Sequence, residues 1–393
     1  MEVLNNPRRY FWITLFLSSS LLSPVLTLFY LNRGLDYSQI FLLYAVIVVS
    51  MLIFEVPTGL IGDKYGRKTS IIIGIIGWII FNISLLYVHS FWAFFALFIL
   101  WGFNATCSSG SDEALIYDSL KQARKEKEMK KHIGNISSAR FLPLVIIAPL
   151  GALIAKDLTS FQFTILILAN LLFTFIALLI SFSLVEPRIV SGPHEVRSPF
   201  QLFKSSITHI KNSPNLVRLF MNKTLILIPG SQIFGLLWQP YLKNSGVSVA
   251  FFGILIAIAS LIIFFLSRNI GKIESKFGGK RIIFYTGLLP LIAFIMGSYF
   301  ENVIAALIFY FLIKISISLR DPIFSQYMNE HISSHNRATT LSSLSMIDSF
   351  FDVIIFISAG FIANISLGYS FLFSAVLMLI ALIFFRVLDK NIK

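Results

Sequence analysis

An all-α membrane protein of twelve spans is the fold class this sequence predicts, and three observations predict it. Hydrophobic residues make up 56% of the 393 and charged residues 13%, with a mean hydropathy of +0.81, far above a soluble average. Apolar runs of membrane length recur along the whole chain and leave no water-soluble core to hold its 40 Phe residues. The basic residues gather on one side of those runs, the asymmetry of a chain that crosses a bilayer many times. In a soluble protein a net charge of +13 would suggest nucleic acid as partner. Here anionic lipid headgroups and topology account for it, and no nucleic acid is expected. The lone Cys107 excludes an internal disulfide framework.

Taken in order, the spans fall at 10–31, 38–61, 69–88, 91–119, 134–156, 161–185, 216–240, 248–270, 281–300, 302–320, 338–364 and 367–388. Each is long enough for roughly 30 Å of hydrocarbon at ~1.5 Å per residue. An even count puts both termini on one side. The termini and the even-to-odd loops hold 26 of the 32 Lys and Arg, and the opposite side holds three, Arg33, Lys156 and Lys243. That bias predicts cytoplasmic termini, and a prokaryotic cytoplasmic membrane is the expected location. Pro7-Arg8-Arg9 precedes a run too long for a signal-peptide core, so the first span reads as an uncleaved helix. The charged loop from Lys121 to His132 reads as a solvated turn. Residues 1–185 then form an N-terminal six-helix bundle and 216–393 a C-terminal one. The polar segment 186–215 between them starts a helix at Ser198-Pro199, with Phe200, Phe203, Ile207 and Ile210 on one face. That pattern suits an amphipathic helix at the membrane surface.

Between the second and third spans lies Gly59-Leu60-Ile61-Gly62-Asp63-Lys64-Tyr65-Gly66-Arg67-Lys68, which fits G-x-x-x-D-[RK]-x-G-[RK]-[RK] at every fixed position. Gly59 allows close helix approach, and Gly66 allows the positive φ of a tight connection. Asp63 is an anion placed to meet a helix N-terminus or a cation. Lys64, Arg67 and Lys68 mark the loop as cytoplasmic. This pattern resembles the loop between helices 2 and 3 of the major facilitator superfamily. The resemblance implies twelve helices in two pseudo-symmetric six-helix bundles and secondary transport by alternating access. In that family the loop aspartate caps a helix of the opposite half, and the loop arginine pairs with an acid at the end of helix 4. Carried over by position, Asp63 would meet the start of span eleven near Arg337, and Arg67 would pair with Asp118. Glu55 belongs to the same group.

An internal repeat supports the two-bundle expectation. The segment from Gly59 to Lys68 is echoed from Gly271 to Lys280, an offset of 212 residues that also pairs Gly34 with Gly246 and Asp118 with Glu330. Ser275 and Gly279 stand where the first copy has Asp63 and Arg67, so the cytoplasmic gate is expected in the first copy alone.

Ionisable residues inside spans are costly in lipid and become candidates for coupling or substrate binding. Lys314 and Asp348 lie about 18 Å and about 15 Å from the ends of their spans by helical rise, which places both near the midplane. Asp352 is one turn beyond Asp348, and a Lys314–Asp348 pair is expected. Asp112 and Glu113 on span four lie at the depth of Arg140 on span five, with charge compensation expected between them. Lys223, near the end of span seven, reads as snorkelling to the interface.

Drug/proton antiporters of the family show R-x-x-x-G in helix 4 and G-P-x-x-G-G in helix 5. Here Leu100-Trp101-Gly102-Phe103-Asn104 and Ala148-Pro149-Leu150-Gly151-Ala152 stand in those places. No G-x-x-x-x-G-K-[ST] loop is present for ATP, and His331 and His335 lack the H-E-x-x-H context of a metal site. No cofactor, metal or enzymatic activity is expected. The sequence reads as a monomeric secondary transporter that exports a small amphipathic molecule against protons. A nutrient symporter or facilitator and a non-transporting receptor on the same fold are the alternatives.

Overall fold

The computed structural model describes residues 2–188, 214–330 and 337–387. Among these the regular structure is helical. The first span is built from α1 (Asn6–Ser18) and α2 (Leu26–Asn32), the second and third from α3 (Tyr37–Tyr65) and α4 (Arg67–Leu85). The fourth is built from α5 (Phe91–Ser108) and α6 (Ser111–Gln122), and α7 (Met129–Ile154) and α8 (Ser160–Phe182) follow. In the second half α9 (Pro214–Leu227), a π-helical segment Ile228–Ile233 and α10 (Phe234–Asn244) make the seventh span. Then come α11 (Phe252–Arg268), the short α12 (Ile270–Phe277), α13 (Gly279–Tyr299), α14 (Val303–Glu330), α15 (Arg337–Ile365) and α16 (Leu367–Phe384). Eleven spans are unbroken enough to qualify by length and apolarity, and the twelfth expected one is the interrupted seventh. The expected linker helix near 200–211 and the pair His331 and His335 lie outside the described residues.

Two compact units emerge. One holds Met1–Leu35, Val46–Val196 and Val249–Ala257; the other holds Asp36–Ala45, Arg197–Ser248 and Ile258–Lys393. In the first, Tyr10, Ile13, Ile71, Ile75, Leu115 and Ile116 form a buried core at one end. In the second, Tyr241, Phe294, Phe309 and Phe371 form an aromatic cluster of edge-to-face and tilted pairs, with Tyr241 and Phe309 centroids 4.7 Å apart. Helix association in lipid rests on such packing, since apolar burial alone gains little there. The outward rows Leu168, Leu172, Phe175 and Leu179 on α8, and Val376, Leu379 and Ile383 on α16, stay exposed as lipid-facing surface.

The repeat extends to the backbone. Gly34 and Gly246 have φ of 86° and 88°, and Gly66 and Gly278 have 96° and 79°. The start of α3 is tied down within the second unit. Asn364 Oδ1 accepts the Tyr37 and Ser38 N–H groups, and Asn364 Nδ2 donates to Ser38 Oγ. Burial alone would raise the Asp36 carboxyl beside it. Hydrogen bonds from Ser38, the Gln39 N–H and Asn364 outweigh burial and hold it below its usual value.

Candidate functional site

Three expected spans are interrupted rather than continuous, and the sequence explains each break. Ser18-Ser19-Ser20 ends α1, because short hydroxyl side chains compete for helix carbonyls. Ser108-Ser109-Gly110-Ser111 separates α5 from α6, with Gly110 at φ 75°. Pro229 and Gly230 lie in the π-helical segment of the seventh span. At the 212-residue offset Ser18 to Ser20 correspond to Gly230 to Gln232, so the first and seventh spans break at equivalent points. A paired interruption of this kind marks the binding region in transporters built from repeats.

Backbone freed by a break inside a membrane needs partners. Asn170 on α8 supplies them in the first span: its Oδ1 accepts from Leu21 N at 2.9 Å, and its Nδ2 donates to Ser20 Oγ at 3.3 Å. Gly151 on α7 packs directly on the same stretch, where a Cβ would come within 2.0 Å of Leu21 O.

The breaks of spans one and four line one cavity of about 830 Å³ inside the first unit. One wall is aromatic, with Trp78, Phe81 and Trp101 in mutual edge contact at 5.4–5.6 Å. Another part of the lining is polar. Asp112 in the first turn of α6 accepts from the Tyr10 hydroxyl at 3.2 Å and pairs with Arg140 at 3.7 Å, as expected of Asp112 and Arg140. Glu113 lines the same cavity and is exposed. Aromatic and charged groups lining one cavity suit an amphipathic guest.

The second unit holds the other acids. Asp348 on α15 pairs with Lys223 at 3.7 Å and accepts from the Thr224 hydroxyl. Lys223 therefore turns inward instead of snorkelling. It takes the place expected of Lys314, which is exposed on α14 without an ion pair among the described residues. Depth along a helix located Asp348, but α9, which packs on α15, supplies its partner. Asp352 lies one turn on, with a buried Oδ1 that has no hydrogen-bond partner among the described residues.

The loop motif has a defined geometry within the first unit. Arg67 pairs with Asp63 at 2.8 Å across the turn, and Asp118 is buried on α6. The landing place proposed for Asp63 near Arg337 lies outside the described side chains. Gly59 does not supply the close approach expected of it: a Cβ there meets nothing within 4 Å, whereas one at Gly62 would stand 3.1 Å from Arg67 Nη1 and Ser111 Oγ. Lys64 is exposed and Lys68 Nζ donates to Phe182 O.

Glu186, at the end of span six, caps α4. Its two carboxylate oxygens accept from Arg67 N at 2.7 Å and Lys68 N at 2.8 Å. A carboxylate at a helix N-terminus meets both unpaired N–H groups and the positive end of the dipole. A Cβ on Gly66 would come within 2.8 Å of that carboxylate. Gly66→Ala is therefore expected to expel Glu186 and to strain a positive φ, at about 2–4 kcal/mol together. Glu186→Ala alone should cost about 1–2 kcal/mol. The double variant should match Gly66→Ala, because the cap is already lost. Thermal unfolding of the three purified variants reads this, and plain additivity would show that the methyl does not displace the carboxylate.

A family model described as Major Facilitator Superfamily matches residues 13–350 and again 224–392. The chain belongs to the major facilitator superfamily. It is 24% identical over 400 residues to YxaM of Bacillus subtilis (strain 168), an uncharacterized MFS-type transporter, covering 95% of this chain and 93% of that protein. Among solved structures, a mutant of the nucleoside transporter NupG superposes with a TM-score of 0.80 at 16% identity, covering 99% of this chain and all of that one (100%). A D-xylose-proton symporter superposes with a TM-score of 0.70 at 15% identity, covering 100% of this chain and 98% of that one. The solved structures show the major facilitator fold, and membership of the superfamily makes the chain a membrane transporter.

Several residues of this major facilitator chain escaped sequence reasoning. Tyr10 and Asn170 carry no charge and no motif. Glu186 lies at the start of the polar linker, and its cap on α4 is a contact between distant segments that no local capping pattern marks. Arg320 closed span ten at its end, but α14 runs on to Glu330 and buries it completely.

Proposed function

We propose that this major facilitator protein is a proton-coupled secondary transporter that exports a small amphipathic molecule by alternating access. The observation that carries the reading is the interruption of spans one and seven at equivalent positions, the first of them opening on the aromatic and polar cavity. Substrate class follows from that cavity, with Trp78, Phe81 and Trp101 for an apolar portion and Asp112 and Arg140 for a polar one. The proton is assigned to the acids of the second unit, Asp348 and Asp352. Asp63, Arg67 and their loop act as the cytoplasmic gate, and the termini are cytoplasmic. The outward direction is part of the proposal and rests on no antiporter motif, so the vesicle assay decides it.

Everted membrane vesicles test this with a fluorescent amphipathic dye and an imposed pH gradient. Vesicles acidified inside should accumulate dye, because protons leaving drive it inward. Accumulation only when the outside is acid would make the protein a symporter and overturn export. No flux under either gradient, across a panel of dyes and nutrients, would favour a receptor.

A further inference from the structure

The second unit carries a cationic pocket that the proposed transport cycle does not use. Arg320 on α14 is fully buried. Its Nη1 donates to Ile283 O and Thr286 Oγ1, and its Nη2 donates to Asn222 Oδ1. The guanidinium also lies 4.4 Å from the Phe324 ring centroid. All three acceptors are neutral, Nε has no partner, and among the described residues no carboxylate lies within ion-pair distance of Arg320. A buried charge without a counter-ion is costly and attracts one.

Directly outside lies a pocket of about 340 Å³. Its wall includes Arg320's own partners Asn222 and Ile283, with Lys280, Arg281, Phe284 and Arg386 around them. Arg386 stands over the Phe284 ring at 5.5 Å, and Arg281 and Arg386 are exposed. The pocket lies where α13 begins and α16 ends, two helices that pack against each other. Beyond it the exposed Tyr285, Leu289 and Ile292 on α13 and Leu379 and Ile383 on α16 make apolar rows along the same pair. Cations at the headgroup level followed by apolar rows at acyl-chain depth match one class of ligand.

We propose that this pocket binds the phosphodiester headgroup of an anionic phospholipid, with its acyl chains along the rows of α13 and α16. Lys280, Arg281 and Arg386 meet the phosphate, and Arg320 behind Asn222 adds a fixed positive field with no carboxylate at ion-pair distance among the described residues. The leaflet is the one that the basic-loop bias assigns to the cytoplasm, where anionic lipid and basic pockets meet.

Purified full-length protein in detergent is titrated with phosphatidylglycerol, phosphatidylcholine or inorganic phosphate while thermal unfolding is followed. Phosphatidylglycerol should raise the midpoint, and the other two should not at equal concentration. The triple variant Lys280→Gln, Arg281→Gln, Arg386→Gln should need about 100-fold more phosphatidylglycerol for the same shift, at roughly fivefold per cation near the surface. Arg386→Gln alone should need about fivefold more, and it keeps the test open where the triple variant fails to fold. Removing the same charge from the exposed loop, by Lys127→Gln, Lys130→Gln and Lys131→Gln, should leave the response intact. A wild-type response in the pocket variants, an equal loss in the loop variant, or an equal shift with phosphatidylcholine would overturn the site. A shift reproduced by inorganic phosphate would overturn its assignment to lipid.

Discussion

Asp352→Asn is expected to abolish accumulation driven by a pH gradient while substrate-for-substrate exchange continues. Asp348 is already engaged, with Lys223 at 3.7 Å and the Thr224 hydroxyl as donors. Asp352, one turn further on the same face, keeps a buried oxygen without a donor, so it is the acid with room for a travelling proton. Asn keeps the shape and removes the titration, which should lower the gradient-driven accumulation ratio at least tenfold at equal expression. Asp348→Asn should behave differently. It leaves Lys223 without its counter-ion, at less than the about 3–5 kcal/mol of a fully buried pair, because each side chain keeps about a quarter of its surface open (25% and 26%). Lower thermal stability is therefore its first sign. Paired counterflow and pH-jump assays separate the two outcomes. Full gradient-driven transport in Asp352→Asn would move the proton to Asp112, the acid of the other unit's cavity.

The second large effect concerns one methyl group. Gly151→Ala is expected to lose transport and about 3 kcal/mol of stability, the upper range for overpacking. Its Cβ would meet Leu21 O at 2.0 Å and Leu21 C at 2.8 Å, backbone atoms that no rotamer change can move aside. Relief requires the interrupted stretch of span one to shift, which breaks the 2.9 Å bond from Leu21 N to Asn170 and deforms the cavity wall. Gly134→Ala on the same helix is the control, because a Cβ there meets nothing within 4 Å. It should be neutral or gain up to about 1 kcal/mol from helix propensity. Equal thermal midpoints for the two variants would mean that span one yields easily at its break.

Most of the fold was legible because hydropathy and charge asymmetry are properties of whole segments. Twelve spans follow from them, and the repeat follows from matching glycines. The interruptions were less visible. The fourth span, Phe91–Gln122, qualifies on its most apolar stretch alone, and a window average hides the two-residue break at Ser109-Gly110. The site was legible residue by residue, and pair by pair only for Asp112 with Arg140. Asp348, Asp112, Arg140 and the loop motif stood out by type or spacing. The partner of Asp348 did not, since depth along a helix says nothing about which neighbour faces it, and Lys223 rather than Lys314 meets it. Neutral positioning groups such as Asn170 carry no sequence mark at all, because an amide in a membrane helix becomes informative only beside the backbone it serves.

Gly66 and Gly278 share a left-handed turn, yet only Gly66 abuts an acid, and only its loop carries the Asp63–Arg67 pair. Chain reversal and charge chemistry are thus separable inheritances of one duplicated unit. The second loop keeps the hinge without that pair and sets Glu274 against Gly279 and the Tyr327 hydroxyl instead, while the first carries the Asp63–Arg67 pair and the Glu186 cap. The chain thereby contains its own ancestral control: grafting residues between the two loops asks which properties belong to bending the backbone and which to switching a transporter, with lipid, expression and partners held constant in a single molecule.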